Sequence, residues 1–282
     1  MIETLLITWR ETLEAALIVG ILLTYLARSG ARAGMRHVWL GTAAAVLAAI
    51  ACAAVSGGVV TLLDPEAQEM IQAGVLFLAV AVLSWMVLWM HRHARALRGD
   101  LHRRADRALA AGRGMGLATI AFAAVFREGV ETVLFLWGVI VQRGAAGSVV
   151  PLVGAGLAGA ALAVATAWVF FRGAAFLNLQ TFFRVTGVLL LLVAAGLLTS
   201  GVNKLIGLGY LPPLVPQVWN TAWLVPDRST LGAILGALIG YRSRPSLLEV
   251  IFFAAYVPAM LLALRRAERT AAPARATGRR AA

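Results

Sequence analysis

A charged motif occurs twice in otherwise apolar parts of the sequence. The first copy is WRETLEAALIVG at residues 9 to 20, and the second is FREGVETVLFLWG at residues 126 to 138. Both follow the pattern R-E-x-x-E, and they lie 117 residues apart: Arg10, Glu11 and Glu14 in the first, Arg127, Glu128 and Glu131 in the second. Each motif combines two carboxylates with one guanidinium group, a set of side chains suited to cation binding.

Helical geometry places the charges of one motif side by side. At about 100° per residue, Glu11 and Glu14 lie about 60° apart on one helix face, and Arg10 lies one turn before Glu14. A charged group at the centre of a membrane helix costs about 2.5 to 3.5 kcal/mol, so six unpaired groups would cost roughly 18 kcal/mol. The six groups must therefore face one another or water. Because four carboxylates outnumber two guanidinium groups, the ionised site is net acidic and favours a cation.

The composition is that of an integral membrane protein. Of 282 residues, 61% are hydrophobic and 13% are charged, and the mean hydropathy is +0.84. The net charge of +12 could indicate nucleic-acid binding, but the basic residues occur in short groups between apolar runs, which is how membrane orientation is encoded. We therefore expect membrane lipid and no nucleic acid among the partners. The single cysteine, Cys52, excludes an intrachain disulfide.

Seven apolar runs are long enough to cross about 30 Å of hydrocarbon, which needs about 20 residues in a helix. The predicted spans are residues 3–27, 38–61, 68–90, 114–141, 149–171, 184–205 and 247–264. The sequence thus predicts an all-α, polytopic membrane protein. The first run has no basic stretch ahead of it and contains charges, so we expect it to remain as a span and not to be cleaved as a signal peptide.

The distribution of basic residues predicts the orientation of the spans. Of 25 Lys and Arg residues, 18 fall after spans one, three and five and in the tail, against five on the opposite side. Basic residues favour the cytoplasm, so the N-terminus is predicted outside and the C-terminus inside. The motif-bearing spans, one and four, then run in opposite directions. Spans one to three and four to six are predicted to form an inverted repeat, and such repeats commonly frame a transport site near the midplane.

The chain is predicted to form a single transmembrane domain with a short tail. The domain covers residues 1–264, with repeat one at about 3–90, repeat two at about 114–205, an outer connection at 206–246 and the seventh span at 247–264. The tail, residues 265–282, is rich in Ala and Arg and is predicted to be disordered, cytoplasmic and in contact with anionic lipid. In the outer connection, the glycines of segment 232–240 indicate a short interfacial or re-entrant helix packed on a neighbour.

Further acidic residues lie outside the motifs. Asp64, Glu66 and Glu69 gather at the start of span three in the stretch DPEAQE. Pro65 suits the first position of a helix and acids suit its first turn, so helix capping accounts for these residues. A compatible alternative is an acidic mouth that concentrates cations at the outer surface. Glu249 begins span seven, and solvation near the outer surface is its simplest interpretation.

The ligand type favours hard cations. Carboxylate oxygen suits Ca²⁺, Mg²⁺, Mn²⁺ and Fe³⁺ better than soft Cu⁺. All four histidines lie in or beside predicted cytoplasmic loops, so no imidazole is expected at the motifs. Motifs that only fixed the packing of two spans would need no surplus carboxylates. Three interpretations stay open: an iron permease, a permease for another cation such as Mn²⁺ or Pb²⁺, and a structural or enzymatic membrane subunit with buried ion pairs.

Several stretches also carry a family resemblance. Two R-E-x-x-E motifs in spans one and four of seven resemble the oxidase-dependent iron transporter family, which includes fungal high-affinity iron permeases and bacterial EfeU-type ferric iron permeases. The acidic pair before span three, the LSWMVLWM end of that span, VWNT at 218–221 and LGALIGYRSRPSLLEV at 235–250 are similar to the bacterial branch. One departure is Thr12, where Gly is frequent in the family.

The resemblance implies a high-affinity Fe³⁺ uptake permease of the bacterial inner membrane, which is not an enzyme. It assigns six residues to the translocation site, with the arginines as supporting ion pairs: Glu11, Glu14, Glu128, Glu131, Arg10 and Arg127. It assigns two residues to an outer acidic metal site: Glu66 and Glu69. It implies no permanently bound cofactor, since iron is the transported substrate. It also implies partners outside the membrane, an oxidase or peroxidase and an iron-binding protein.

Overall fold

The computed structural model of the protein describes residues 1–93, 97–110, 114–143, 150–172, 179–227 and 229–270. These residues form helices and connecting turns and contain no strand. The helices are α1 (Ile2–Arg28), α2 (Gly34–Thr61), α3 (Pro65–His93), α4 (Leu97–Ala110), α5 (Gly114–Arg143), α6 (Val150–Phe171), α7 (Leu179–Gly207), α8 (Thr230–Ile239) and α9 (Leu247–Thr270). The predicted all-α class is confirmed.

Five of these helices are long and apolar enough to cross a membrane, judged by length and composition over the described residues: α2, α3, α6, α7 and α9. Two others are as long, α1 with 27 residues and α5 with 30. Each of them carries one R-E-x-x-E motif, and its three charges interrupt the apolar run. The chain is thus a multi-pass membrane protein. Whether α1 and α5 also span the membrane depends on whether their charges are buried in the protein.

The chain divides into two compact units. Unit 1 contains Met1–Gln72 and Ala96–Leu177, and unit 2 contains Ala73–Arg95 and Asn178–Ala282. Unit 1 therefore holds α1, α2, α4, α5 and α6, including both motifs. Unit 2 holds α7, α8 and α9, and α3 begins in unit 1 and continues in unit 2.

The helices of unit 1 pack in two matched pairs, α1 with α6 and α2 with α5. Glycines permit both contacts, since a side chain at Gly159 would meet the backbone of Leu5 and Trp9, and one at Gly41 would meet the backbone of Ala118. In the predicted repeats, α5 corresponds to α1 and α6 corresponds to α2. The contact of α1 with α6 therefore corresponds to the contact of α5 with α2. This is the pattern expected of two related repeats, and their inversion stays a prediction.

Helices α1 and α5 also contact each other. Residues 18–26 of α1 and 117–125 of α5 share one apolar cluster, whose buried members are Ile18, Val19, Ile21, Leu22, Leu26, Val38, Ala45, Leu101, Ala105, Leu117, Ala121 and Val125. Earlier on α1, Glu11 approaches Glu128 and Glu131, which come later on α5. The contacts therefore move backwards along α5 as they advance along α1, so the two helices run in opposite directions.

Helix α4 lies in the basic connection that the hydropathy pattern treats as a loop. It is amphipathic, with Leu101 and Ala105 buried in the apolar cluster and Arg103 and Arg104 exposed. Both arginines pair with Asp100 one turn earlier, at 3.4 and 2.8 Å. The hydrogen bond from Arg104 lowers the pKa of the Asp100 carboxyl group. Because α4 packs against α1 and α5, it joins the two motif-bearing helices.

In unit 2, α7 packs against α8 and α9. The short helix predicted in the outer connection is α8. Its first turn is capped by Ser229 Oγ, which accepts a hydrogen bond from the Gly232 amide. The helix ends at Ile239 and is followed by the C-cap Gly240, whose φ of 66° is left-handed. A side chain at Gly196 of α7 would meet Gly236 O and Gly240 Cα, each at 3.3 Å. These glycines therefore allow α8 to pack closely on α7.

The last helix extends past the predicted end of the seventh span. α9 begins at Leu247 and continues to Thr270, so residues 265–270 of the predicted tail are helical. Residues 271–282 lie outside the described residues, as do 94–96 and 111–113 of the basic connection.

Candidate cation site

The two motifs meet within unit 1. The four motif glutamates, Glu11, Glu14, Glu128 and Glu131, are between 1% and 8% exposed. Arg10 is 2% exposed and is among the largest fully buried side chains. Ionisable groups are rarely buried in this way unless they are paired with opposite charges, hydrogen-bonded, bound to a metal ion or neutralised by protonation.

Arg10 bridges two carboxylates of its own helix. Its Nη1 lies 2.6 Å from Glu11 Oε1, and its Nη2 lies 2.6 Å from Glu14 Oε1. The planar guanidinium group can serve two carboxylates at once because its nitrogens point in different directions. This arrangement orients both acids of the first motif.

Arg127 pairs with the second motif less evenly. Its Nε lies 2.8 Å from Glu131 Oε1 and 3.8 Å from Glu128 Oε1. The Arg127 side chain is 37% exposed, whereas that of Arg10 is 2% exposed. The two motifs therefore share a sequence pattern but differ in how firmly the arginine is enclosed.

Three carboxylates from the two helices converge. One oxygen from each of Glu11, Glu128 and Glu131 lies within 4.8 Å of the others, and in the described part of the chain no other three acidic, histidine or cysteine side chains form such a group. We call these three residues the carboxylate cluster. Oε2 of each is buried and has no hydrogen-bond partner among the described residues. Buried polar oxygens nearly always have a hydrogen-bond partner, so three oxygens without one need another explanation. Hard cations bind carboxylate oxygens, and these three atoms are available for such an ion.

Glu14 lies beside the carboxylate cluster. Its Oε1 is held by Arg10, and it interacts electrostatically with Glu131 and Arg127. The four glutamates and two arginines together carry a formal charge of −2 when all are ionised. Two like charges 4.8 Å apart repel by about 3.5 kcal/mol at an effective dielectric constant of about 20. A cation between the carboxylates would replace this repulsion by attraction.

Glu66 and Glu69 are not members of the carboxylate cluster. Both are exposed near the start of α3, which begins at Pro65. Asp64 Oδ1 accepts a hydrogen bond from the Ala67 amide at 2.9 Å, so the capping interpretation of this stretch is confirmed for Asp64. The outer acidic site stays a prediction.

The interpretation of Glu249 as a solvated residue is wrong, since it is 4% exposed. Its Oε2 accepts hydrogen bonds from the amide and hydroxyl of Ser246, and Ser246 Oγ accepts one from the Glu249 amide. This is a capping box at the start of α9, and the S-x-x-E spacing is its sequence signal. Glu249 Oε1 also pairs with Arg242 at 3.1 Å, and Arg242 donates to Ser200 of α7.

Three more polar residues of α1 are buried ahead of the motif. Glu3, Thr4 and Thr8 are 3%, 2% and 8% exposed. They form no recognised motif. Their helical spacing from Glu11 and Glu14 is the signal that could have identified them.

Comparison with known proteins identifies the family of the chain. Residues 1–266 match the model of the iron permease FTR1 family. The chain belongs to the iron permease FTR1 family. It is 31% identical to the "Ferrous iron permease EfeU" of Yersinia pestis over 99% of both chains. It is also 31% identical to the protein of that name from Escherichia coli O6:H1, over 93% of this chain and 94% of the relative.

An archaeal protein is similar as well. An uncharacterized protein of Archaeoglobus fulgidus is 34% identical over 94% of this chain and 95% of the relative. No solved structure matches the chain. The family membership confirms the resemblance seen in the motifs, and it identifies iron as the transported substrate of a membrane permease.

Proposed function

We propose that this iron permease takes up Fe³⁺ with high affinity across a bacterial inner membrane and that the ion crosses at the carboxylate cluster. One observation carries the proposal: Glu11, Glu128 and Glu131 come from two antiparallel helices, and each has a buried oxygen without a hydrogen-bond partner among the described residues. Ion pairs that served only to hold the helices together would not need these surplus oxygens.

The proposal includes α1 and α5 among the membrane spans, which raises their number to seven. The four motif glutamates and Arg10 are buried in the protein interior, which is the condition for ionisable groups inside a membrane. The N-terminus is then outside and the C-terminus in the cytoplasm. α1–α3 and α5–α7 form the inverted repeat, and α9 is the seventh span.

Transport proceeds by exchange of ligands. An ion reaching the site replaces water by oxygens of the carboxylate cluster and of Glu14. Arg10 and Arg127 hold the glutamates in position while the site is occupied. The ion is released inward when Arg10 and Arg127 pair more closely with the motif glutamates and so replace the ion as their partner. Glu66 and Glu69 attract cations to the outer surface, as acidic surfaces do.

The donor atoms favour the ferric ion. The carboxylate cluster offers oxygen alone, without histidine or cysteine, and hard cations prefer such ligands. An oxidase or peroxidase outside the membrane, together with an iron-binding protein, would supply Fe³⁺ to the permease.

A second candidate is transport of Fe²⁺ through the same site. The formal charge of −2 on the six motif side chains is neutralised by a divalent ion, whereas a trivalent ion leaves a charge of +1. The bacterial relatives are also named ferrous iron permeases.

Uptake of radioactive iron into proteoliposomes tests both proposals. Iron is supplied either as ferric citrate or as Fe²⁺ kept reduced with ascorbate, and Mn²⁺ and Pb²⁺ are added as competitors. We expect wild-type protein to take up Fe³⁺ and the Glu128→Gln variant to lose uptake. Uptake limited to reduced iron would support the second candidate. Equal uptake of Mn²⁺ or Pb²⁺ would contradict selectivity for iron.

A further inference from the structure

The two motif-bearing helices differ in the two turns that precede the motif. On α1 these turns carry the buried residues Glu3, Thr4 and Thr8. The positions at the same distances before the second motif are Ile120, Ala121 and Val125. Because α1 and α5 are antiparallel, the polar turns of α1 and the apolar turns of α5 lie on opposite sides of the carboxylate cluster. One side is polar, and the other is closed by the apolar cluster.

The threonines of this segment differ from five others on the helices. Each of those five hydroxyls donates to the carbonyl four residues earlier, at 2.7 to 3.0 Å: Thr24, Thr42, Thr119, Thr132 and Thr166. Oγ1 of Thr8 and Oγ1 of Thr4 are buried and have no hydrogen-bond partner among the described residues. Such buried hydroxyls require an explanation, and an oxygen-seeking ligand provides one.

Helical geometry aligns these oxygens with the carboxylate cluster. Thr4, Thr8 and Glu11 lie within about 60° of one another around the α1 axis. The rise along the axis is about 6 Å from Thr4 to Thr8 and about 4.5 Å from Thr8 to Glu11. Glu3 lies within about 20° of Glu14 on the neighbouring part of the same face. Oxygen ligands therefore follow one another at intervals of about one turn.

Helix α6 presents a glycine to the two threonines. A Cβ atom added at Gly156 would lie 3.8 Å from Thr8 Oγ1 and 4.0 Å from Thr4 Cγ2, which is ordinary contact without overlap. Gly156 thus faces both threonines. A methyl group at this position would fit sterically and would cover the Thr8 hydroxyl with an apolar surface.

We infer that Glu3, Thr4 and Thr8 line the approach by which iron reaches the carboxylate cluster from the N-terminal end of α1. The inference rests on the proposed function of that cluster. The ligand is a hard cation that still holds part of its water, and the two hydroxyls and the Glu3 carboxylate replace water molecules in turn. Thr8 is the last oxygen before Glu11.

The first test removes one hydroxyl at constant shape. Thr8→Val should raise the KM for iron uptake into proteoliposomes about tenfold, the effect of losing one oxygen contact to a charged ligand. Thr8→Ser should restore it. Thr42→Val is the matched control, because the Thr42 hydroxyl already bonds to Val38 O at 2.9 Å, and its KM should stay within about twofold of wild type.

The second test covers the hydroxyl without changing it. Gly156→Ala should raise the KM in the same direction as Thr8→Val. Gly154→Ala on the same helix is the control, since an added Cβ there meets nothing within 4 Å. Equal behaviour of the two glycine variants would overturn the inference.

The variants also separate this inference from the proposed function. Wild-type uptake in Thr8→Val and Gly156→Ala, with Glu128→Gln inactive, would overturn the approach and leave the carboxylate cluster in place. Wild-type uptake in Glu128→Gln as well would overturn the proposed function. Thr8→Val replaces an unpartnered hydroxyl by a methyl group, so its thermal stability should not fall. Reduced uptake with lower stability and an unchanged KM would identify Thr8 as a packing residue and overturn the inference.

Discussion

Replacement of Glu128 by Gln distinguishes cation binding from packing at the carboxylate cluster. Glu128 is 5% exposed, and its ion pair with Arg127 is long, at 3.8 Å. The facing oxygens of Glu11 and Glu131 lie within 4.8 Å. Glutamine keeps the size of the side chain and removes one negative charge, so the substitution changes electrostatics with little change in shape.

The expected magnitude follows from these distances. Two unit charges 4.8 Å apart interact by about 3.5 kcal/mol at an effective dielectric constant of about 20. A multivalent cation between these oxygens would lie nearer to each of them than 4.8 Å, so it loses at least about this much attraction, which corresponds to at least a several-hundredfold rise in its dissociation constant. The same substitution removes the repulsion between Glu128 and its two neighbours. Iron binding should therefore weaken while the iron-free protein becomes equally or more stable.

Two measurements on one preparation check this prediction. Iron uptake by proteoliposomes gives the KM, and thermal unfolding of the iron-free protein in detergent gives the stability. Asp100→Asn is the control, because it removes one negative charge from the exposed face of α4 and should leave uptake unchanged. A Glu128→Gln variant with wild-type uptake and reduced stability would refute the reasoning, since a packing ion pair behaves in that way.

Three further substitutions test other parts of the structure. Arg10→Lys should lower uptake at least about tenfold while membrane insertion persists. The reason is that an ammonium group cannot reproduce two 2.6 Å contacts from different nitrogens. Unchanged uptake would exclude the bridging role. Gly41→Ala should lower the free energy of unfolding by about 1 to 3 kcal/mol, since its methyl group would meet the Ala118 backbone, whereas Gly57→Ala, with nothing within 4 Å, should not destabilise the protein. Ser246→Ala should cost about 1 kcal/mol of stability by removing the α9 cap, with iron uptake retained; a loss of uptake at full stability would contradict a purely structural role.

The meeting of the two motifs could be predicted from the sequence because charges within apolar helices must find partners. The details within the site could not. Whether Glu11 or Glu14 faces the second motif depends on the rotation of α1 about its axis and on side-chain rotamers, which the R-E-x-x-E spacing leaves undetermined. In the structure, Glu11 belongs to the carboxylate cluster, and Glu14 lies beside the cluster and pairs with Arg10.

Hydropathy locates membrane spans better than helices. It did not predict α4, whose 14 residues are rich in Arg and show only the helical spacing of Leu101, Ala105 and Leu109 as a sign of a packed face. It also ended the last helix too early, because a polar helix can continue beyond the apolar run, as α9 does to Thr270. In both cases mean hydropathy does not report whether the backbone is helical.

The two halves of the proposed inverted repeat are not equivalent beside the carboxylate cluster. In a symmetric transport cycle, the second repeat would adopt the conformation of the first when the site opens inward. The inner path would then be lined by the counterparts of Glu3, Thr4 and Thr8. Those counterparts, Ile120, Ala121 and Val125, are apolar, so under the proposed function the inward-facing path would use other groups and would require the apolar cluster to open. α4 closes that end, where the Tyr25 hydroxyl is hydrogen-bonded to Asp106 and the Tyr25 ring stacks on His102 at 4.6 Å. Under the proposed function, opening of this side would therefore require α4 to move away from α1.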